Sequence, residues 1–179
     1  MEIISLINPE TAAGKTKDLF DGVLRRIGRV PKMIRLLANS PAAAEAYIQF
    51  NVNLSRAELT KRTRSLVAVA VAEANNCAYS AMIARGQAKE AGAADEDIAL
   101  ARRAEATDHK TATGLQFAVE VVAMRGMVGT SRVLQLRSAG YNDAEIVELV
   151  ATVVLSLYRN YFNLVAGTEI DTPGNAALG

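Results

Sequence analysis

The chain has 179 residues, half of them apolar, yet with four Phe, five Tyr and no Trp only 5% are aromatic. A chain of this length closes as one ordinary domain, burying roughly 70% of its unfolded surface, and needs no disulfide or metal to do so. Its 20 basic and 19 acidic residues are interspersed, for a formal charge of +1, which excludes the one-signed surface of a nucleic-acid or anionic-membrane binder.

The first ten residues, MEIISLINPE, have neither the basic start nor the apolar run of a signal peptide, so the expected compartment is cytoplasmic. Asn8-Pro9 sets a capping side chain before a proline suited to a first helical turn. The helix predicted from there runs to Gly28 and would bury Leu19, Phe20, Val23, Leu24 and Ile27 at i, i+3/i+4 spacing. Pro31 opens a short helix ending near Asn39, and Ser40-Pro41 opens another with Tyr47 and Phe50 on one side. Thr60 caps a helix containing Leu66-Val-Ala-Val-Ala-Val-Ala72. The alternation in that run also fits a strand, but no turn residue interrupts residues 61–75 and a single strand would have no partner.

Asn75-Asn76 marks a break, after which residues 77–91 read as a helix closed by Gly92 and residues 95–104 as a short one. Asp108 caps a helix whose apolar face is Leu115, Phe117, Ala118, Val121 and Val122 and which Gly126 stops. Thr130 caps a helix that ends at Gly140. Asn142-Asp-Ala-Glu145 has the pattern of a capping box and opens the longest helix, to about Val165. From Ile170 through Pro173 the chain is expected to be extended. The predicted architecture is an all-α, single-domain bundle of seven or eight helices. Its amino-terminal helices span residues 1–58, its core residues 59–173 and its tail residues 174–179.

Residues 66–72 and 146–158 are apolar nearly all round, which places a helix at the centre of a bundle or in a subunit interface. Two such helices exceed what a small monomer needs, so a homo-oligomer is expected. The second stretch contains Glu148 and is too short to span a bilayer.

Chemistry concentrates in Cys77-Ala-Tyr-Ser80-Ala-Met-Ile-Ala84-Arg85. Cys77 is the single cysteine, so no internal disulfide can form. A thiol in the first turn of a helix faces unpaired N–H groups and the positive dipole end, which favour thiolate. Positions 77 and 80 are neighbours on one helical face and 84 lies one turn further along it. The flanking alanines argue equally for a buried, structural thiol.

Other residues carry weaker signals. His109, the one histidine, follows a cap at a helix start, and with no cysteine cluster near it no metal site is expected. Glu73 reads as an exposed helix-end carboxylate, and Lys61 to Arg64 as a solvated helix start. Arg85 and Arg159 are candidates for an anionic substrate, for the surface, or for pairing with an acid. Tyr79, Tyr158, Tyr161 and Phe162 are candidates for an apolar pocket or, at helical spacing, for the core. Ser80 with Ser65 makes no catalytic triad, since no base is in view.

The segment around Cys77 resembles the motif Asn-Gly-Cys-x-x-Cys-x-x-x-His of the alkylhydroperoxidase D-like, or carboxymuconolactone decarboxylase, family. Three further stretches resemble its peroxidase-related branch. They are Leu24-Arg-Arg-Ile-Gly28-Arg-Val-Pro31 followed by residues 36–41, Tyr141-Asn-Asp-Ala-Glu-Ile-Val, and Asn160-Tyr-Phe-Asn163-Leu-Val-Ala-Gly-Thr168-Glu-Ile-Asp171-Thr-Pro. Together they extend over residues 15–173.

The resemblance implies a thiol-dependent, peroxiredoxin-type reduction of hydroperoxides, an antioxidant oxidoreductase activity without a cofactor. Carried over position by position, the resolving thiol matches Cys77 and the peroxide-attacking thiol matches Ser80. The relay His matches Ala84, the relay Glu matches Ser65, and a further His matches Leu164. A hydroxyl cannot form a sulfenic acid, and one thiol cannot close a disulfide. The family's usual cycle is therefore not expected, and Cys77 and Ser80 are the site residues that remain. One alternative is a non-catalytic oligomeric binding or scaffold protein with a small apolar or peroxide ligand. Another is a lyase of the carboxymuconolactone decarboxylase kind.

Overall fold

The computed structural model describes residues 3–170, so the extended stretch expected after Ile170 and the tail expected over residues 174–179 lie outside the described residues. Nine helices form among them: α1 (Gly14–Ile27), α2 (Lys32–Leu37), α3 (Pro41–Leu54), α4 (Lys61–Ala74), α5 (Ala78–Glu90), α6 (Asp95–Ala101), α7 (His109–Ala123), α8 (Thr130–Ser138) and α9 (Asp143–Ala166). Each matches a helix read from the sequence, the short α2 and α6 included, so the total is one more than the seven or eight expected.

Four of the nine helix starts follow from side-chain capping. The Ser40 hydroxyl accepts the Ala43 N–H ahead of Pro41, the Thr60 hydroxyl accepts that of Thr63, and the Asp108 carboxylate accepts that of Thr111. Asn142 and Glu145 exchange bonds reciprocally, at 2.8 and 3.0 Å, to open α9, and Gly167 in the left-handed region closes it. Asn76 takes φ +51° between α4 and α5, a conformation that asparagine tolerates better than other side chains.

Three expected helix features fail. Residues 9–11 form a turn in which the Asn8 side chain accepts the Glu10 N–H, and α1 begins at Gly14. Within α1, Phe20 and Val23 are buried but Leu24 and Ile27 are exposed, because the helix packs on the bundle, chiefly on α3, along a narrow stripe. Thr130 is the first helical residue of α8 rather than its cap, which is Gly129.

The run that alternates Val and Ala is helical and central. Every residue from Ser65 to Ala72 is buried, because α4 is packed by α5, α6, α7 and α9 on different sides. Two apolar clusters result. One joins α4 to Leu115, Phe117, Ala118, Leu136, Leu149 and Val153; the other joins Phe20, Met33, Leu37, Tyr47, Tyr79 and Leu155.

The last helix behaves differently from the expectation of burial all round. Leu149, Thr152, Val153, Leu155 and Ser156 are buried, while Val147, Val150, Val154, Tyr158, Tyr161 and Val165 form an exposed stripe. By length and composition α9 is apolar enough to cross a membrane, but half of its most apolar window is buried inside the bundle, as in a core helix.

Close packing predicts one sensitive glycine. Gly114 in α7 faces the Tyr141 ring and hydroxyl at a distance no Cβ tolerates, and that hydroxyl donates to the Lys110 carbonyl at 3.0 Å. Gly114→Ala would gain up to ~1 kcal/mol of helix propensity but must displace the buried ring, at about 1–3 kcal/mol. Chemical denaturation is expected to show a net loss.

Candidate functional site

The α4–α5 corner places Cys77 as the residue before α5, with Ser80 and Ala84 on the buried face of that helix. The shared face read from spacing therefore exists, and it looks inward onto α9. Cys77 is 2% exposed. Its Sγ lies 3.2 Å from Ser80 Oγ and 3.7 Å from the Asn160 carbonyl oxygen. The thiol can donate to either oxygen, and its side chain takes no bond from the N–H groups of the first turn.

Ser80 is fixed from α9. Asn163 Nδ2 donates to Ser80 Oγ at 3.2 Å and to the Arg159 carbonyl at 2.8 Å, and it also lies 3.4 Å from Met33 Sδ. Asn160 Nδ2 donates to the Val71 carbonyl at 3.2 Å. Both asparagines leave Oδ1 buried without a donor among the described residues. The result is a neutral cluster of thiol, hydroxyl and amides. It contains no carboxylate, imidazole or amine to accept a proton. Ser65 and Ala84, at the two relay positions, are buried in the α4–α5 packing. Acid–base chemistry of the lyase kind finds no group here either.

The remaining candidates sort by their partners. Glu73 is not the exposed carboxylate expected. Arg102 Nε lies 2.9 Å from it and Arg85 pairs with the same oxygen. Burial pushes the Glu73 carboxyl up, but the hydrogen bonds and charges of the two arginines outweigh it and hold it below the ordinary range. Arg85 is thereby committed to an acid, whereas Arg159 is buried and its side chain hydrogen-bonds, among the described residues, only to Gln87 and Ser156. Lys61 and Arg62 pair with Glu90 and Asp97, at 3.6 and 2.8 Å, as a solvated helix start would. His109 is exposed at the start of α7. No group of metal-ligating side chains occurs among the described residues. Tyr79 and Phe162 join the core, Tyr158 stacks on Tyr47 at 5.7 Å, and Tyr161 faces outward.

Sequence reasoning missed a cavity. About 1250 Å³ opens between α1, α3 and α5, with Arg159 and Met33 in its wall. Apolar Val23, Ile34, Tyr47, Tyr79 and Ile83 also line it. Cys77 and Ser80 do not reach it, yet Met33 touches both the cavity and Asn163, so it stands between the cavity and the neutral cluster. Tyr79, a candidate for an apolar pocket, and Arg159, a candidate for an anion, were the signals available, and both line it. Ile27 is exposed because it faces this opening.

Comparison with known proteins agrees with this architecture. The model of the carboxymuconolactone decarboxylase family matches residues 41–123, from the start of α3 to the end of α7. Over that stretch the chain is similar to the carboxymuconolactone decarboxylase family. The chain's fold is the alkylhydroperoxidase D-like one. An uncharacterized peroxidase-related protein from Ralstonia eutropha JMP134, described as an alkylhydroperoxidase AhpD core, superposes with TM-score 0.84 at 18% identity, covering 96% of this chain and 93% of that one. A peroxidase-related protein from Silicibacter sp. TM1040 gives 0.83 at 18% identity, covering 95% and 91%. A variant of the debrominase Bmp8 in complex with 2,3,4-tribromopyrrole gives 0.79 at 14% identity, covering 99% and 98%. No curated protein sequence matches the chain. Against the family motif, Asn76 stands where glycine is usual, and its left-handed backbone accounts for that preference.

Proposed function

We propose that this protein is a small-molecule-binding member of the carboxymuconolactone decarboxylase fold that does not run two-thiol peroxide reduction. One observation carries the proposal: the face from Cys77 to Ala84 is sealed and neutral, while a large, mostly apolar cavity opens on the neighbouring face of the same helix. Peroxide reduction needs a thiolate to take the oxygen, a second thiol to resolve the sulfenic acid, and a base for the proton. Here the second thiol and the base are absent among the residues around Cys77. A cavity lined by apolar and aromatic side chains with a few polar groups is the usual form of a ligand site. The complex of the Bmp8 variant with a brominated pyrrole supports such a use, since a protein of the same fold holds a small aromatic molecule.

The test is trapping. With excess hydrogen peroxide and dimedone, Cys77 is expected to stay unlabelled by mass spectrometry, with Cys77→Ser as the blank. An adduct on Cys77 would return the chain to the thiol peroxidases. One arrangement favours that second reading: the thiol sits at a helix start, and Met33, a flexible thioether, lies between the cavity and its cluster. Cys77 alone would then take the terminal oxygen of the hydroperoxide and release the alcohol. Two equivalents of an external thiol would be needed to restore it.

The outer face of α9 supports a second proposal, that copies of this chain associate through it. Val147, Val150, Val154, Tyr158, Tyr161 and Val165 recur at spacings of three and four residues with no charged side chain among them. That is the seam pattern by which helices pair.

A further inference from the structure

Arg159 is the least explained charge in the molecule. A guanidinium is protonated at every relevant pH, and this one is only 8% exposed. Its Nη1 reaches Gln87 Oε1 at 3.5 Å and its Nη2 reaches Ser156 Oγ at 3.4 Å, both long contacts to neutral oxygens. Its Nε is buried with no hydrogen-bond partner. Among the described residues no carboxylate forms an ion pair with it, whereas Arg62, Arg85, Arg102, Arg132 and Arg137 each have one. A buried charge without a counter-ion is strongly unfavourable, so such a group persists when something else supplies the opposite charge. Arg159 lines the cavity.

We propose that the cavity binds an organic monocarboxylate with an apolar, ring-bearing body, and that Arg159 receives its carboxylate. The proposal rests on the binding function above and names its ligand class. The planar guanidinium fork matches a carboxylate, and its two Nη groups, held only by the long contacts to Gln87 and Ser156, are the donors that can turn to it. A second negative charge has no such receiver. Lys15, Arg26 and Arg29 also line the cavity, with Asp18, Glu45 and Glu90 among them, but these charges are wholly or partly exposed to solvent, whereas Arg159 is buried. The body of the ligand would lie against Tyr47, Tyr79, Ile34 and Ile83, where flat rings stack and apolar area leaves water.

Calorimetric titration of the intact chain with biphenylcarboxylate and with its neutral carboxamide tests this directly. The acid is expected to bind at least about tenfold more tightly than the amide. Arg159→Gln should erase that difference, while Arg159→Lys should keep part of the preference. Inorganic phosphate should compete poorly, because it lacks the body. Equal affinities for acid and amide, a preference that survives Arg159→Gln, or strong phosphate competition would each overturn the ligand class while leaving the binding function intact. Binding of neither compound would count against both. An independent readout needs no ligand: Arg159→Met should raise the melting temperature of the free protein by removing an uncompensated charge. A lower melting temperature would mean that the guanidinium is already satisfied.

Discussion

A Ser80→Cys, Ala84→His chain treated with one equivalent of hydrogen peroxide is expected to lose both of its thiols to a disulfide, while the natural chain keeps Cys77 free. The geometry is already close, because Cys77 Sγ lies 3.2 Å from the Ser80 oxygen. A sulfur in place of that oxygen has to close by roughly 1 Å to reach bonding distance. The introduced thiolate takes one oxygen from peroxide and releases water. Cys77 then attacks the sulfenic acid, forms the disulfide and releases a second water. Without a base the first step is slow at neutral pH, and an imidazole one turn along is expected to add on the order of 10²-fold over Ser80→Cys alone. Ala84 is buried, so the larger side chain also costs about 1–3 kcal/mol of stability. Thiol titration and stopped-flow peroxide consumption read the two effects separately. Persistence of both thiols would mean that this corner of the fold lacks more than two side chains.

Val154→Asp with Tyr161→Glu is expected to turn the protein into a monomer in sedimentation while leaving its helical circular dichroism unchanged. Both side chains lie on the outer stripe of α9, away from Leu149, Val153 and Leu155, which face the core. Each apolar side chain fully buried between copies would stabilise association by about 1.5–3 kcal/mol, and a carboxylate in its place has no partner there. The pair should weaken association more than about 100-fold, since each ~1.4 kcal/mol is a factor of ten. A natural chain that already sediments as a monomer would remove the case for this interface.

The corner at Cys77 was the most legible part of the site. The Asn75-Asn76 break, the helix beyond it and the common face of positions 77, 80 and 84 follow from local rules of capping and helical period, and the structure keeps all of them. Glu73 was misplaced because its partners, Arg85 and Arg102, lie 12 and 29 residues away in sequence. The arginines could be named in advance, but nothing local distinguishes Arg85, which meets a carboxylate, from Arg159, which meets none. The cavity was invisible for a related reason. It is space left where α1, α3 and α5 do not close on one another, and no residue pattern encodes a gap.

By itself the sequence determined the helices, most of their caps, the central position of residues 66–72 and the replacement of the redox and relay groups by Ser80, Ala84 and Ser65. These depend on propensity, period and side-chain chemistry, all of which act within a few turns of the chain. Only the tertiary structure decided which side of α9 stays wet, that Cys77 is sealed, and that one arginine sits uncompensated beside an apolar cavity. Those outcomes depend on which distant helix covers which face, and on the high energy of a buried charge that no neighbour neutralises.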